Sequence, residues 1–312
     1  MNIHFWGVRG SLPAPLTPQQ VRAKISAAIQ RIQPKDLASE DAKERFIASL
    51  PTWIYGTAGG NTSCVEVTAS SGEKVIFDAG TGIRVVGKYG EPPEKLVYHL
   101  FFSHFHWDHI QGLPFFEPLY NPEATICLYS PFKNMKQYLE GQMLDPYYPV
   151  SMDTCTKKIF YNVLEPQKPV TIGSLQIQAI KMSHPGNSYA YAVTENGHKF
   201  VYATDVELNH PDFVRTKEHD DFFGGADVLV IDSQYTVEEA YAKQGWGHSA
   251  FCYAIDFAVA WKVKKLYLFH HDPMYDDRKL NSILQSAHWY ADYSAKNAVV
   301  VDLATEGLEI KL

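Results

Sequence analysis

Three imidazoles and one carboxylate, His104, His106, Asp108 and His109, fall within Ser103-His-Phe-His-Trp-Asp-His-Ile. A solvated loop has no use for that density. Imidazole nitrogen and carboxylate oxygen are the donors that a borderline cation such as zinc takes. The spacing sorts them. His104 and His106 are two apart, so in an extended segment their side chains point the same way. Asp108 and His109 are adjacent and diverge, which suits a second ion.

So short a run cannot complete two coordination shells, and further ligands must come from elsewhere. His184 stands in Lys181-Met-Ser-His-Pro-Gly, Asp205 ends Val201-Tyr-Ala-Thr-Asp, and His270 ends Lys265-Leu-Tyr-Leu-Phe-His. Each follows an apolar strand pattern, where sites are commonly built. Singly, each reads as a turn or capping residue. Beside the cluster they read as ligands, with Asp205 able to bridge two cations. His271 competes with His270, which is preferred because it directly continues its strand.

These groups need rigid elements behind them. Asn2–Val8 reads as a strand running into a Gly/Pro turn. Thr17 and Pro18 read as the N-cap and first residue of a helix. Val21, Ile25, Ala28, Ile29 and Ile32 follow at helical spacing over Gln19–Ile32. A second helix over Ser39–Leu50 completes an amphipathic insert at roughly 17–51, which reads equally as a packed flap or as a lid or dimer contact. From Gly59 the pattern turns to strands. Ser63–Thr68 and Lys74–Phe77 form a hairpin pair around Ser70-Ser71-Gly72. Leu96–Phe102 is a buried strand leading into the histidines. Further strands are expected near Thr125–Tyr129, Lys158–Val163, Leu175–Ile180, Ala190–Val193, Lys199–Ala203, Val228–Ile231, Lys265–Phe269, Ala298–Val301 and Leu308–Lys311. Helices are expected over Pro131–Glu140, His248–Trp261 and Asp277–Ala291. Runs of strands with interspersed helices and no long linker indicate one α+β domain over 1–312. A sheet sandwich covered by helices fits better than a doubly wound parallel sheet.

The composition is that of a globular chain, 46% apolar and 20% charged, with a formal charge of −7. Bulk electrostatics therefore argue against general nucleic-acid binding. A cleft holding cations can still attract a phosphate. Cys64, Cys127, Cys155 and Cys252 show no CxxC spacing and read as reduced thiols of a cytoplasmic protein. The opening does not read as a signal peptide, and no apolar run suits a membrane span.

The run His104-x-His106-x-Asp108-His109 resembles the His-x-His-x-Asp-His signature of the metallo-β-lactamase superfamily, and His184, Asp205 and His270 follow in the order that superfamily uses. The resemblance spans nearly the whole chain. Gly7-Val-Arg-Gly-Ser-Leu-Pro, Gly60-Asn-Thr-Ser-Cys and Asp78-Ala-Gly-Thr-Gly look like its phosphodiesterase branch. That branch holds tRNase Z, the carbon–phosphorus lyase cyclic phosphodiesterase and cyclic-nucleotide phosphodiesterases. The resemblance implies a four-layer αββα sandwich with two metals at one edge. It implies that His104, His106 and His184 hold one metal, that Asp108, His109 and His270 hold the other, and that Asp205 bridges. In tRNase Z-like enzymes an acidic residue after a strand orients a His in a Gly-His-Ser context, and that His protonates the leaving oxygen. Asp232, where those enzymes often have Glu, and His248 stand at these places. A carboxylate–imidazole pair fixes a tautomer and raises basicity. The plain alternative is that His248 sits in the first turn of a helix with Ser249 near its cap.

These readings lead to metal-assisted hydrolysis of a small or cyclic nucleotide-type phosphodiester. Two divalent ions would serve, zinc first, with manganese or iron inseparable from it by these ligands. Asp108 would bind metal and accept a proton from the nucleophile, and His248, held by Asp232, would act as general acid. The chain lacks the long Gly/Pro-rich arm with which tRNase Z grips tRNA, and its acidity argues against a large RNA partner. Trp107, Phe115, Phe116, Tyr147, Tyr148 and Trp246 are candidates to stack a base, though each alone reads as core packing. Rival readings are a lactonase or thioesterase on the same fold, a tRNA 3′-processing endonuclease, an iron dioxygenase or diiron oxidoreductase, and a non-catalytic metal-binding protein. The insert makes a homodimer an open possibility.

Overall fold

Alternation of apolar side chains along the strands sets the architecture in this computed structural model, which describes residues 1–295 and 298–312. The strands are β1 (Asn2–Gly7), β2 (Cys64–Thr68), β3 (Lys74–Phe77), β4 (Val97–Phe101), β5 (Thr125–Ser130), β6 (Ile159–Val163), β7 (Val170–Ile172), β8 (Leu175–Met182), β9 (Ser188–Glu195), β10 (His198–Ala203), β11 (Val228–Asp232), β12 (Lys265–Phe269), β13 (Val300–Leu303) and β14 (Glu309–Lys311). The helices are α1 (Pro18–Ile29), α2 (Glu40–Ser49), α3 (Thr52–Tyr55), α4 (Gly82–Tyr89), α5 (Trp107–Ile110), α6 (Met135–Gly141), α7 (Lys217–Phe223), α8 (Val237–Ala242), α9 (Phe251–Ala260) and α10 (Asp277–Ala295). Two seven-stranded sheets result, ordered β14-β1-β2-β3-β4-β5-β6 and β13-β12-β11-β10-β9-β8-β7.

Successive residues of a strand face opposite sides of its sheet, and the core divides accordingly. Phe77, Phe101, Tyr191, Phe200, Tyr202 and Phe269 fill the layer between the sheets. Their neighbours Ile76, Leu100 and Leu128 face outward, under α4 and α6. On the other sheet Val201, Leu229, Ile231 and Leu268 face outward, under α9 and α10. Helix, sheet, sheet and helix form four layers, as expected. The sheets are mixed: β3 to β6 run parallel, as do β10 to β13. A parallel set brings the C-terminal ends of its strands to one edge, and the histidine-rich loop leaves β4 there.

The insert helices have the expected caps, though α1 ends at Ile29, three residues short of the expected Ile32. Thr17 accepts a hydrogen bond from the Gln20 backbone and Pro18 opens α1, while Ser39 caps α2. Neither helix has a buried residue. α1 docks by a polar edge, through an ion pair of Lys24 with Asp277 at 2.7 Å. Val21, Ile25 and Ile29, the stripe expected to face the domain or a partner, are 42%, 56% and 66% exposed.

Two local differences matter for the site. Asp108 and His109 lie on the single turn α5, not on extended chain, so they diverge by the helical step of about 100° per residue. The helix expected from His248 begins at Phe251. Ser249 holds the preceding segment extended: its Oγ donates to the Val206 carbonyl at 2.6 Å and its N–H to Asp232 at 3.3 Å. The helix-turn explanation of His248 is thereby excluded. Strand β7 and helices α4, α7 and α8 are elements that the sequence pattern did not reveal.

Candidate metal centre

Every residue expected to hold metal, and Asp232, arrives from the end of a strand, while His248 lies in the loop between α8 and α9. His104 and His106 follow β4, with Asp108 and His109 in α5 just beyond. His184 follows β8, Asp205 follows β10, Asp232 ends β11 and His270 follows β12. Asp205 and His270 adopt left-handed backbone, φ +38° and +60°, as does Asp78 after β3 at +59°. Such conformations cost non-glycine residues energy and persist where the surroundings hold them, often at functional sites.

The structure gathers seven of these side chains into two adjoining groups. His104, His106, His184 and Asp205 offer ligand atoms within 4.8 Å of one another, and so do Asp108, His109, Asp205 and His270. Asp205 belongs to both. Its Oδ2 lies 3.6 Å from His104 Nε2 and 3.9 Å from His184 Nε2. Its Oδ1 lies 3.0 Å from His109 Nε2 and 3.1 Å from His270 Nε2. Asp108 Oδ2 sits 3.2 Å from His109 Nε2 and 3.1 Å from His270 Nε2. The second group is fully buried, while His106 opens the first to solvent.

Hydrogen bonds behind the rings decide which nitrogen faces inward. His109 Nδ1 donates to Asp78 at 2.8 Å, His184 Nδ1 to the Gly247 carbonyl at 2.9 Å, and His270 Nδ1 to Gln234 Oε1 at 3.1 Å. Ser103 Oγ gives its proton to Asp78 at 2.7 Å, so it accepts from His104 Nδ1 at 3.1 Å. Four Nε2 lone pairs therefore point into the centre. His109 Nε2 and His270 Nε2 are 3.3 Å apart, as are His106 Nδ1 and His184 Nε2 at 3.2 Å. Lone pairs that close repel unless something electrophilic lies among them. His104 Nε2 is buried with no hydrogen-bond partner. This donor set fits divalent metal ions, and hydrogen bonds from the outer ring nitrogens are how metal-bound imidazoles are oriented.

The titration directions agree. Burial opposes charge on His109, yet Asp205, Asp108 and Asp78 hold it well above its ordinary value. Burial opposes charge on Asp205 as well, yet His109, His270 and His104 hold it well below the carboxylate range. The same carboxylates that favour positive charge on His109 favour a cation at this place. His104, pushed down by burial and then by His109, stays neutral.

Asp232 and His248 stand beside these groups. His248 Nδ1 donates to Asp232 Oδ2 at 2.6 Å and lies 4.0 Å from Asp205. Burial lowers the imidazole, but Asp232, then Asp205 and Asp108, bring it up to about 9. Of the two neighbouring histidines, His270 turns inward. His271 turns away and donates to the Ala304 carbonyl at 2.8 Å.

Not all expected aromatics reach the site. Trp107, Phe115, Tyr147 and Tyr148 line a cavity beside His104 and His106. Phe116 is wholly buried, edge-on to Tyr98 at 5.3 Å, because its stretch of chain faces the α4 layer. Trp246 lies outside that cavity, 5.9 Å from the Lys243 ammonium. Sequence reasoning also missed the groups behind the ligands: Asp78, Gln234, Ser103 and the Gly247 carbonyl. Asp78 had a signal as the head of the Asp78-Ala-Gly-Thr-Gly motif, with no role read for it, and Gln234 only as a polar residue after a strand.

Two packed sheets between helix layers, with this His/Asp cluster at one edge, define the metallo-β-lactamase fold. A family model described as "Beta-lactamase superfamily domain" matches residues 73–271, and the chain belongs to that family. The probable metallo-hydrolase YhfI of Bacillus subtilis is 27% identical over 198 residues, covering 62% of this chain and 75% of that protein. Its crystal structure superposes with a TM-score of 0.66 at 17% identity, covering 99% of this chain and 98% of that one. Ribonuclease Z of Oceanobacillus iheyensis is 23% identical over 276 residues, covering 73% of this chain and 89% of that protein. Unliganded yeast PDE1 shares the fold with a TM-score of 0.61 at 14% identity, covering 80% of this chain and 95% of that one. The resemblance read from the motifs, and the fold it implied, are borne out. Among the described residues no helix is long and apolar enough to cross a membrane.

Proposed function

We propose that this protein is a metal-dependent phosphodiester hydrolase for a small or cyclic nucleotide-type substrate. The observation that carries the reading is the His248–Asp232 pair, closed at 2.6 Å and set 4.0 Å from Asp205. An alkoxide leaving from phosphorus needs a proton, and this pair would give one. The ribonuclease Z relatives point to the same bond. Their name also favours a tRNA 3′-processing reading, but the acidic chain, at −7, favours a small substrate.

His104, His106 and His184 would hold one ion and Asp108, His109 and His270 a second, with Asp205 offering one oxygen to each. Two divalent ions, zinc by preference and manganese or iron by availability, would supply Lewis acidity toward phosphoryl oxygens and acidify water. Asp108, whose Oδ2 accepts from the Ser11 N–H at 2.7 Å, would take a proton from the attacking water. His248 keeps Nδ1–H on Asp232, so its Nε2 proton goes to the leaving oxygen. The four cysteines are free thiols, which agrees with a cytoplasmic setting.

The test is a substrate panel for zinc- or manganese-reconstituted protein: bis-p-nitrophenyl phosphate, 2′,3′- and 3′,5′-cyclic nucleotides, a lactone and a thioester. Turnover confined to the phosphodiesters is the expected result. Turnover of the lactone or thioester alone, or of nothing, rejects the reading. His248→Ala is expected to keep its metal while losing about 10²–10⁴ in kcat on cyclic nucleotides. The loss is smaller with p-nitrophenolate, which departs without a proton.

A further inference from the structure

A cavity of about 770 Å³ opens beside the centre, bounded on one side by His104 and His106. Among the described residues that line it, none is lysine, arginine, aspartate or glutamate. Seven of the sixteen residues that line it are phenylalanine, tyrosine or tryptophan, and several are held by their neighbours. Phe115 meets Tyr148 edge-on at 5.6 Å. Phe132 meets Phe105 edge-on at 5.5 Å. Tyr148 donates to the Pro114 carbonyl at 2.8 Å, and Tyr120 donates to the same oxygen at 2.7 Å. Trp107 and Tyr147 are each 81% exposed at the rim. Large aromatic surfaces left open this way recover free energy only when another surface covers them. Gln142 also lines the cavity, and its Nε2 has no hydrogen-bond partner.

We propose that this cavity is the subsite for the organic group of the substrate, and that the group is a neutral planar aromatic ring, aryl or nucleobase, esterified to the phosphate held at the centre. The proposal rests on the phosphodiesterase reading. The wall carries no cation, so it does not suit a polyphosphate chain, whose binding needs Lys or Arg along the track. It carries no anion to form an ion pair with a cationic group, so a cation would be held there by ring faces alone. Ring faces open to the cavity offer surface on which a planar ring can stack.

Esters that share one leaving group test the subsite apart from the chemistry. Methyl, cyclohexyl, phenyl and thymidine 5′- p-nitrophenyl phosphates all release p-nitrophenolate. The metal-reconstituted protein is expected to prefer phenyl or thymidine over methyl by about tenfold or more in kcat/KM, expressed in KM. In Phe115→Ala and Tyr147→Ala that ratio is expected to fall to about threefold or less. Thymidine preferred over phenyl identifies a nucleobase, and equality identifies any aryl ring. A cyclohexyl ester as good as phenyl, or all esters equal, overturns the subsite and leaves the phosphodiesterase reading standing. If no ester is hydrolysed, that reading falls and calorimetry decides the cavity alone. Phenylphosphonate binding about tenfold tighter than methylphosphonate then supports it, and equal affinities overturn it.

Discussion

Asp205 is where the two halves of the centre meet, one carboxylate oxygen toward each set of imidazoles. Asp78 works from behind. It accepts from His109, from the Ser103 N–H at 2.8 Å and hydroxyl, and from the Tyr202 hydroxyl at 2.8 Å. One carboxylate thus orients His109 directly and His104 through Ser103. Asn tolerates the left-handed backbone of that position but presents an amide N–H to one of these donors. Asp78→Asn is expected to weaken divalent-metal affinity by about 10–100-fold and to lower the thermal midpoint by a few degrees. Titration against a chelating dye measures it, and unchanged affinity would remove Asp78 from this role.

At the scale of elements, the loop Gly245–His248 joins two functions. Gly247 gives its carbonyl to His184, and the next residue is His248. Gly247 has φ +91°, and a Cβ there would stand 2.3 Å from His184 Nδ1, so no other residue permits this approach. Glu207 pins the loop by accepting from the N–H groups of Gly245 and Gly247 at 2.8 and 2.9 Å. It touches no ligand atom and acts by position. Glu207→Ala is expected to lower kcat on a cyclic nucleotide about tenfold with metal stoichiometry retained. The p-nitrophenyl esters are expected to lose less, because p-nitrophenolate leaves without the proton that His248 is proposed to give. An equal loss on both substrates would count against positioning of His248.

At the scale of the molecule, the aromatic layer between the sheets sets the distance between the two strand-end sets. Phe77 packs against Tyr202 and Tyr191 at centroid separations of 5.5 and 5.4 Å, and Tyr202 reaches on to Asp78. At the opposite end of β9, Glu195 ties the sheets together. It accepts from the Ser70 N–H and hydroxyl, each at 2.8 Å, from the Ser174 hydroxyl, and pairs with the amino group of Met1 at 3.0 Å. Burial alone would raise this carboxyl, but these donors hold it down to about 2, below its ordinary 4.5. A depressed carboxyl contributes stability above its unfolded value and loses it as pH falls through the folded one. Glu195→Gln is expected to lower the thermal midpoint at neutral pH and to flatten its fall between about pH 5 and pH 2. An unchanged acid limb in the midpoint–pH profile would refute this.

Much was legible in the chain itself. Period-two alternation marked most strands, Thr17-Pro18 and Ser39 marked the insert helices, and the spacing of His104, His106, Asp108 and His109 marked the centre. These signals are local: backbone hydrogen bonds, caps and ligand spacing act within a few residues. What the sequence left open depends on contacts between distant residues. Whether His270 or His271 faces the cluster, that His248 precedes its helix, that Phe116 is core, and that α1 turns its apolar stripe outward were all decided by packing. So were the partners Asp78, Gln234 and the Gly247 carbonyl. A hydrogen bond across tens or hundreds of residues leaves no periodicity along the chain. Only folding the two sheets face to face brings donor and acceptor together.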